Sequence, residues 1–130
     1  MTVRHVLTIL AVADLERAKR FYAAAFGWPA SVETPVYVEL ALPAGMRLGL
    51  YERNGFGKNT GQTPVRVPEG ELGPTELYFY PDDLVLALER VRAAGARPLS
   101  ALATRPWGDE VAYFADPEGN VLALARPLEA

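Results

Sequence analysis

The chain contains no cysteine and only one histidine among its 130 residues. Disulfide bonds and thiolate metal sites are therefore excluded, and the lack of cysteine fits a reducing compartment. A charge excess is missing as well, because 13 basic and 16 acidic residues leave a net charge of −3. Without a basic run, the sequence has no electrostatic footprint for nucleic acid, which is not an expected partner.

Long apolar segments are also absent. The apolar stretch near the start of the sequence runs for about nine residues, is interrupted by Thr8 and ends at Asp14, so it is too short to span a membrane. No small-residue cleavage site follows it. We therefore expect a soluble, cytoplasmic protein that does not bind a membrane. The length predicts one compact domain, or two half-domains that share a core.

Two copies of one pattern run along the sequence. The segment VAYFADPEGNVLALARP at 111–127 has a strand pattern on each side of a turn containing proline and glycine, which predicts a β-hairpin. The segment YVELALPAGMRLGLYE at 37–52 matches it, with its turn proline and glycine at the same offset. Upstream of each hairpin, an Asp-Leu pair precedes apolar residues at helical spacing. Each half therefore predicts the order β-α-β-β-β.

A duplicated βαβββ unit predicts an α+β fold in a single domain over 1–130, with one module at about 1–53 and another at about 74–127. Each module forms a four-stranded sheet with a helix on one side. Pairing of the two open faces makes a curved, cup-shaped mixed sheet with the helices outside. Residues 54–73 are rich in glycine and proline and predict a connection without secondary structure, either a plain linker or a flap.

Strand alternation places a tyrosine-rich set of side chains on the inner face of this cup. Buried tyrosine hydroxyls need hydrogen-bond partners, so several tyrosines on one concave face indicate a small-molecule pocket. The alternative is a cup filled by its own side chains, with the hydroxyls bonded across it. The candidate ligand-binding residues on this face are Tyr37, Glu39, Arg47, Tyr51, Glu76, Tyr78 and Tyr113, with Tyr80 at the rim.

Two carboxylates of this set have more than one interpretation. Glu76, inside an apolar cup, is a candidate general base or a contact for a cationic ligand. Alternatively, Glu76 forms a structural ion pair with Arg47. Glu39 either acts together with Glu76 or is half exposed, which is the more common situation for a glutamate on a strand.

Three segments resemble the vicinal oxygen chelate superfamily, which includes glyoxalase, bleomycin-resistance proteins and extradiol dioxygenases. They are LTILAVADLERAKRFYAAAFGW, LVLALERVRAAGARPL and RPWGDEVAYFADPEGNVLAL, and the resemblance covers nearly all of residues 3–127. It implies paired βαβββ modules, a homodimer and a pocket at or near the module interface. It also implies that Trp107 lines the pocket mouth, where its ring stacks on a planar or cationic ligand. Otherwise Trp107 is a surface or dimer-interface residue.

Enzymes of this superfamily hold one divalent metal ion with His and Glu side chains from four strands. The resemblance assigns those four positions to Leu7, Gly49, Glu76 and Ala123. Only Glu76 has a side chain that can coordinate, whereas a metal site needs about three protein ligands. The sequence therefore predicts a protein most like the metal-free bleomycin-resistance type, with no cofactor. An altered ligand set, in which His5 joins Glu39 and Glu76, is the alternative for a divalent metal.

Together these observations favour a metal-independent protein that binds an aromatic or amphipathic small molecule. One alternative is an enzyme of the same superfamily. It would be a metal-dependent lyase, isomerase or dioxygenase with an altered ligand set, or a metal-free enzyme that uses Glu76 as a base. Another is a structural or regulatory dimer whose cup is filled by its own side chains. The sequence leaves open whether a reaction is catalysed.

Overall fold

The computed structural model describes residues 1–129, which contain three α-helices and two four-stranded mixed sheets. The chain divides into two compact units. The first contains residues 1–23 and 27–66, and the second contains residues 24–26 and the chain from Val67 onward. Each unit repeats the order βαβββ, so the α+β fold with a duplicated module is confirmed. None of the helices within residues 1–129 has the length and apolar character needed to cross a lipid bilayer.

The first unit places its first and last strands side by side. Strand β1 is parallel to β4, whereas β3 is antiparallel to both β4 and β2, in the order β1-β4-β3-β2. A short 3-10 turn at Pro43–Gly45 joins β3 to β4. The elements are β1 (Leu7–Val12), α1 (Leu15–Phe26), β2 (Ala30–Glu33), β3 (Tyr37–Ala41) and β4 (Arg47–Glu52).

Helix α1 begins and ends where its sequence predicts. The Asp14 side chain accepts a hydrogen bond from the Arg17 amide at 3.0 Å, which satisfies one of the free N–H groups of the first turn. Gly27 ends the helix in the left-handed conformation at a φ of 68°, and its amide donates to the Ala23 carbonyl. The buried side chains of α1 include Ala18, Phe21 and Tyr22, and they form part of the core.

Residues 53–60 form a helix, α2 (Arg53–Thr60), where the sequence predicts a connection without secondary structure. That prediction is wrong because the Glu52 carboxylate caps the helix, accepting from the Asn54 and Gly55 amides at 2.8 and 3.2 Å. At Gly57, a Cβ atom would lie 2.6 Å from the Thr63 hydroxyl oxygen. Glycine is therefore required there by a close tertiary approach, which outweighs its low helix propensity.

The second unit has the same connectivity. Strand β5 is parallel to β8, and the remaining neighbours are antiparallel, in the order β5-β8-β7-β6. The Asp83 side chain caps α3 by accepting from the Leu86 amide at 3.1 Å. The elements are β5 (Glu76–Phe79), α3 (Leu84–Ala93), β6 (Arg97–Thr104), β7 (Asp109–Ala115) and β8 (Val121–Pro127).

The turn between β7 and β8 is held by one aspartate. The Asp116 carboxylate accepts from the amides of Glu118 and Asn120, both at 2.9 Å, and Gly119 adopts a φ of 85° that only glycine takes readily. The predicted hairpin is therefore confirmed, and its register is fixed from Asp109 opposite Pro127 to Ala115 opposite Val121.

In each sheet, one face carries the buried aliphatic side chains. Leu48 and Leu50 of β4, and Leu122 and Leu124 of β8, are at most 2% exposed. Burial of such side chains is the main favourable contribution to folding. Because side chains alternate along a strand, Arg47 and Tyr51 of β4 lie on the other face of the first sheet, together with Tyr37 and Glu39 of β3. In the second sheet, Tyr78 of β5 and Asp109 of β7 lie on the face opposite Leu122 and Leu124.

Candidate functional site

Each unit carries one polar and aromatic cluster on the sheet face opposite these leucines, and each cluster is centred on a buried carboxylate. The first, here called the Glu39 cluster, consists of Tyr37, Glu39, Arg47 and Tyr51. The second, here called the Asp109 cluster, consists of Tyr78, Tyr80, Trp107 and Asp109.

In the Glu39 cluster, the register of β3 and β4 brings the side chains together across one sheet face. The Tyr37 hydroxyl donates to Glu39 Oε1 at 2.7 Å, and Arg47 Nη1 donates to Glu39 Oε2 at 3.0 Å. Both carboxylate oxygens are thus bonded, and Glu39 is only 8% exposed. The expectation of a half-exposed Glu39 is wrong, because a cation and a phenol compensate for the loss of water. Arg47 pairs with Glu39, so the alternative in which Arg47 pairs with Glu76 is wrong.

Gly49 makes the position of the Tyr37 ring possible. A Cβ atom on Gly49 would lie 2.5 Å from the Tyr37 hydroxyl oxygen and 2.9 Å from Ile9 Cγ1. The Tyr37 ring also packs edge-to-face on Tyr51, with 5.2 Å between ring centroids. Burial first, and then the hydrogen bond to Glu39, raise the pKa of Tyr37 to about 12. The phenol therefore stays protonated and remains a donor at neutral pH.

In the Asp109 cluster, two phenols and an indole converge on one carboxylate. The hydroxyls of Tyr78 and Tyr80 donate to Asp109 Oδ2 at 2.5 and 2.8 Å. Trp107 Nε1 in turn donates to the Tyr78 hydroxyl at 2.8 Å. Asp109 is 6% exposed, whereas Tyr78, Tyr80 and Trp107 are 39%, 60% and 58% exposed. The carboxylate thus fixes three rings that remain accessible to solvent.

The turn before β7 positions this aspartate. Gly108 adopts a φ of 95°, and the Arg105 amide donates to the Asp109 carbonyl at 2.8 Å, so the chain reverses tightly between Trp107 and the strand. The sequence-based candidates omit Asp109. It lies two residues before Val111 and shares the alternation of Val111 and Tyr113, so extending that alternation to the start of the strand would have found it.

Both tyrosines of the Asp109 cluster favour the protonated phenol. For Tyr78, burial first and then the hydrogen bond to Asp109 raise the pKa above its usual value. For Tyr80, the hydrogen bond to Asp109 is the first cause of a raised pKa. At neutral pH, the two phenols therefore act as donors to the Asp109 carboxylate.

Tyr113 and Glu76 lie in the second unit but outside the Asp109 cluster. Tyr113 lies opposite Ala123, and the Arg105 guanidinium stands over the Tyr113 ring at 5.0 Å from its centroid. Burial, followed by the charge of Glu76, raises the pKa of Tyr113. Glu76 itself is exposed on β5, opposite Val121. Arg105 donates to the Ser100 hydroxyl at 2.9 Å, a contact that the sequence-based candidates also omit.

The residues at the four inferred metal positions do not fit a metal ion. Leu7 and Ala123 have no donor atom, and the Tyr37 ring fills the space where a side chain on Gly49 would stand. His5 precedes β1 and is exposed, with its Nε2 3.2 Å from the Leu7 carbonyl oxygen. Across residues 1–129, no three His, Asp or Glu side chains form a group that could hold a metal ion. The alternative set of His5 with Glu39 and Glu76 therefore gains no support, and both Glu39 oxygens are already bonded to Tyr37 and Arg47.

Comparisons with known proteins give a consistent result. A family model described as "Glyoxalase/Bleomycin resistance protein/Dioxygenase superfamily" matches residues 2–124. A glyoxalase-related enzyme from Fulvimarina pelagi is 24% identical, with a TM-score of 0.81 over 94% of this chain and 86% of its own. A glyoxalase/bleomycin resistance protein/dioxygenase from Nocardioides is 24% identical, with a TM-score of 0.80 over 100% of this chain and 88% of its own.

Lactoylglutathione lyase from Agrobacterium tumefaciens is also similar in structure. It is 23% identical, with a TM-score of 0.71 over 96% of this chain and 94% of its own. At such identities, the structural similarities show a shared fold. No curated protein sequence matches the chain.

Proposed function

Because the chain belongs to the glyoxalase/bleomycin resistance protein/dioxygenase superfamily, we propose that it is a metal-independent protein that binds an aromatic or amphipathic small molecule. The observation that carries this proposal is the Asp109 cluster. Three aromatic side chains there are held by hydrogen bonds while their rings stay between 39% and 60% exposed. Exposed large aromatic side chains that are gathered in one place are typical of a binding surface.

The hydrogen bonds of this cluster support binding by preorganisation. A free tyrosine or tryptophan side chain loses rotamer freedom when a ligand stacks on it, which weakens binding. Here the chain of bonds from Trp107 through Tyr78 to Asp109 fixes the rings before a ligand arrives. The tyrosine rings stand at 83° to each other with centroids 5.9 Å apart, so they offer two differently oriented surfaces.

The donor set also favours binding without a metal. A catalytic metal site needs about three protein ligands that converge on one point. Glu39 has both oxygens bonded to Tyr37 and Arg47, and the Gly49 position has no room for a ligating side chain. A metal-dependent lyase, isomerase or dioxygenase is the alternative function, and the metal measurement described below tests it.

The experiment measures thermal shifts with a panel of aromatic and amphipathic compounds, since a ligand that binds only the folded protein raises its Tm. Hits are then titrated against Trp107→Ala, with Trp28→Phe as the matched control. Trp28 stacks on Tyr22 at 6.2 Å and lies outside the cluster. We expect Trp107→Ala to weaken binding and Trp28→Phe to leave it unchanged. Hits that bind both variants equally well would place the site elsewhere, and a panel without hits would contradict the proposal.

A second arm tests the metal directly. The purified protein is supplemented with zinc, nickel, iron or manganese, and its metal content is measured after removal of the excess. We expect no stoichiometric metal. One equivalent of tightly held metal, lost in Glu76→Gln, would overturn the metal-independent proposal in favour of an enzyme with an altered ligand set.

A further inference from the structure

We propose that the Asp109 cluster recognises an organic cation, in particular a methylated ammonium group. This inference rests on the proposed function and names the chemical class of its ligand. It follows from comparing Glu39 and Asp109, two buried carboxylates that both accept from phenols but differ in charge compensation.

The two carboxylates differ in whether a cation within the protein compensates their charge. Glu39 accepts from the Tyr37 phenol and also from the Arg47 guanidinium, so its charge is paired within the protein. Asp109 accepts from the phenols of Tyr78 and Tyr80, which are neutral donors. Among the described residues of the second unit, no Lys, Arg or His forms an ion pair with Asp109. A buried carboxylate without a cation is unfavourable, and a cationic ligand would supply the missing charge.

The rings around Asp109 are suited to that charge. Cations are attracted to the faces of tryptophan and tyrosine because the face of each ring carries the negative part of its quadrupole. When a phenol donates a hydrogen bond to a carboxylate, the face of its ring becomes more negative. The hydrogen bond from Trp107 to Tyr78 extends this polarisation to the indole. The ring faces and the Asp109 carboxylate therefore both favour a positively charged ligand.

The exposure of the cluster indicates which kind of cation fits. Asp109 is 6% exposed, and its Oδ2 already accepts hydrogen bonds from two phenols. A primary ammonium that loses its bound water needs new hydrogen-bond acceptors, and this oxygen is already occupied. A methylated ammonium has no such requirement, because it is weakly hydrated and binds through its methyl groups to aromatic faces. The accessible rings of Tyr78, Tyr80 and Trp107 supply those faces.

The test uses choline, tetramethylammonium and the neutral isostere of choline in which a carbon replaces the nitrogen. Binding is followed by the fluorescence of Trp107 in a Trp28→Phe background, where it is the only tryptophan, and by the rise in Tm. We expect both cations to bind and the isostere, at matched concentration, to bind at least about tenfold more weakly. Equal binding of the isostere would overturn the inference, because the rings would then act only as an apolar surface.

Variants test the role of the carboxylate. Asp109→Asn keeps an oxygen that accepts from the phenols but removes the charge, so we expect it to lose cation binding. Asp82→Asn removes the same charge from an exposed residue outside the cluster and should bind as the parent protein does. If Asp109→Asn does not fold, Trp107→Leu replaces it, since Trp107 is 58% exposed, with Tm as the readout. Unchanged cation binding in either folded variant would refute the inference.

The two proposals fail in different ways. If neutral or anionic aromatic compounds bind and are lost in Trp107→Ala, while choline and tetramethylammonium do not bind, the proposed function stands and the cation inference is wrong. If no compound of any charge raises the Tm, the proposed function itself is wrong.

Discussion

The burial of Glu39 predicts a large energetic coupling between Glu39 and Arg47. The first unit also contains an internal reference, the salt bridge between Lys19 and Glu33. The nitrogen–oxygen distances are nearly equal, 3.0 Å for Arg47–Glu39 and 2.9 Å for Lys19–Glu33. The carboxylates differ in exposure, because the Glu39 side chain is 10% exposed and the Glu33 side chain is 53% exposed. Comparing the two pairs therefore tests the effect of burying the carboxylate together with its contacts to Tyr37 and Arg47.

The perturbation is Arg47→Met, which keeps much of the aliphatic stem and removes the charge. Breaking a buried ion pair by removing one partner costs about 3–5 kcal/mol, because the remaining charge stays buried. The Arg47 side chain is 43% exposed, so water can reach the Glu39 carboxylate in the variant and lower this cost. We therefore expect a loss of about 2–3 kcal/mol in the free energy of unfolding, close to the value of a hydrogen bond to a charged group. For the exposed Lys19–Glu33 pair, we expect a coupling energy well below that of the Glu39–Arg47 pair.

The assay is a pair of double-mutant cycles measured by urea unfolding. One cycle combines Arg47→Met with Glu39→Gln, and the other combines Lys19→Met with Glu33→Gln. In about 1 M salt, the buried pair should keep most of its coupling, because screening acts mainly on exposed charges. Equal couplings in the two cycles, or equal loss of both in salt, would refute the argument that burial determines the strength of the Glu39–Arg47 pair.

Three further predictions concern Gly49, Tyr37 and Asp83. Gly49→Ala should destabilise the protein by about 1–3 kcal/mol in urea unfolding, since its Cβ would lie 2.5 Å from the Tyr37 hydroxyl; an unchanged midpoint would contradict this placement of the ring. Tyr37 should titrate at a pKa of about 12 by near-ultraviolet absorbance. The contribution of the Tyr37 phenol to stability is then complete at pH values below its usual pKa of 10, and it is lost as the pH rises through about 12. Glu39→Gln should lower that pKa only in part, because burial is its first cause. Asp83→Ala should cost about 1 kcal/mol through loss of the α3 cap, whereas Asp83→Asn should cost less.

The repeated elements were predictable because their signals are local. An Asp-Leu pair before a helical pattern and a proline- and glycine-containing turn between two alternating strands act over a few residues, and both copies form as predicted. Helix α2 was not predictable in the same way. Its glycines suggest a loop, but the Glu52 cap and the close approach of Thr63 to Gly57 stabilise a helix.

The candidate site also has features that the local sequence predicts and features that depend on tertiary contacts. Strand alternation alone places Tyr37, Glu39 and Arg47 on one sheet face, because side chains alternate with a period of two. Which atoms meet on that face depends on strand register and on turns, which bring distant parts of the chain together. That is why Arg47 pairs with Glu39, and why Asp109 accepts hydrogen bonds from Tyr78 of β5 and from Tyr80, which directly follows that strand. The sequence by itself determined the repeated fold and the polar face of each sheet. Only the tertiary structure decided which carboxylate is neutralised by a cation and which is bonded to phenols alone, because long-range pairing sets those distances.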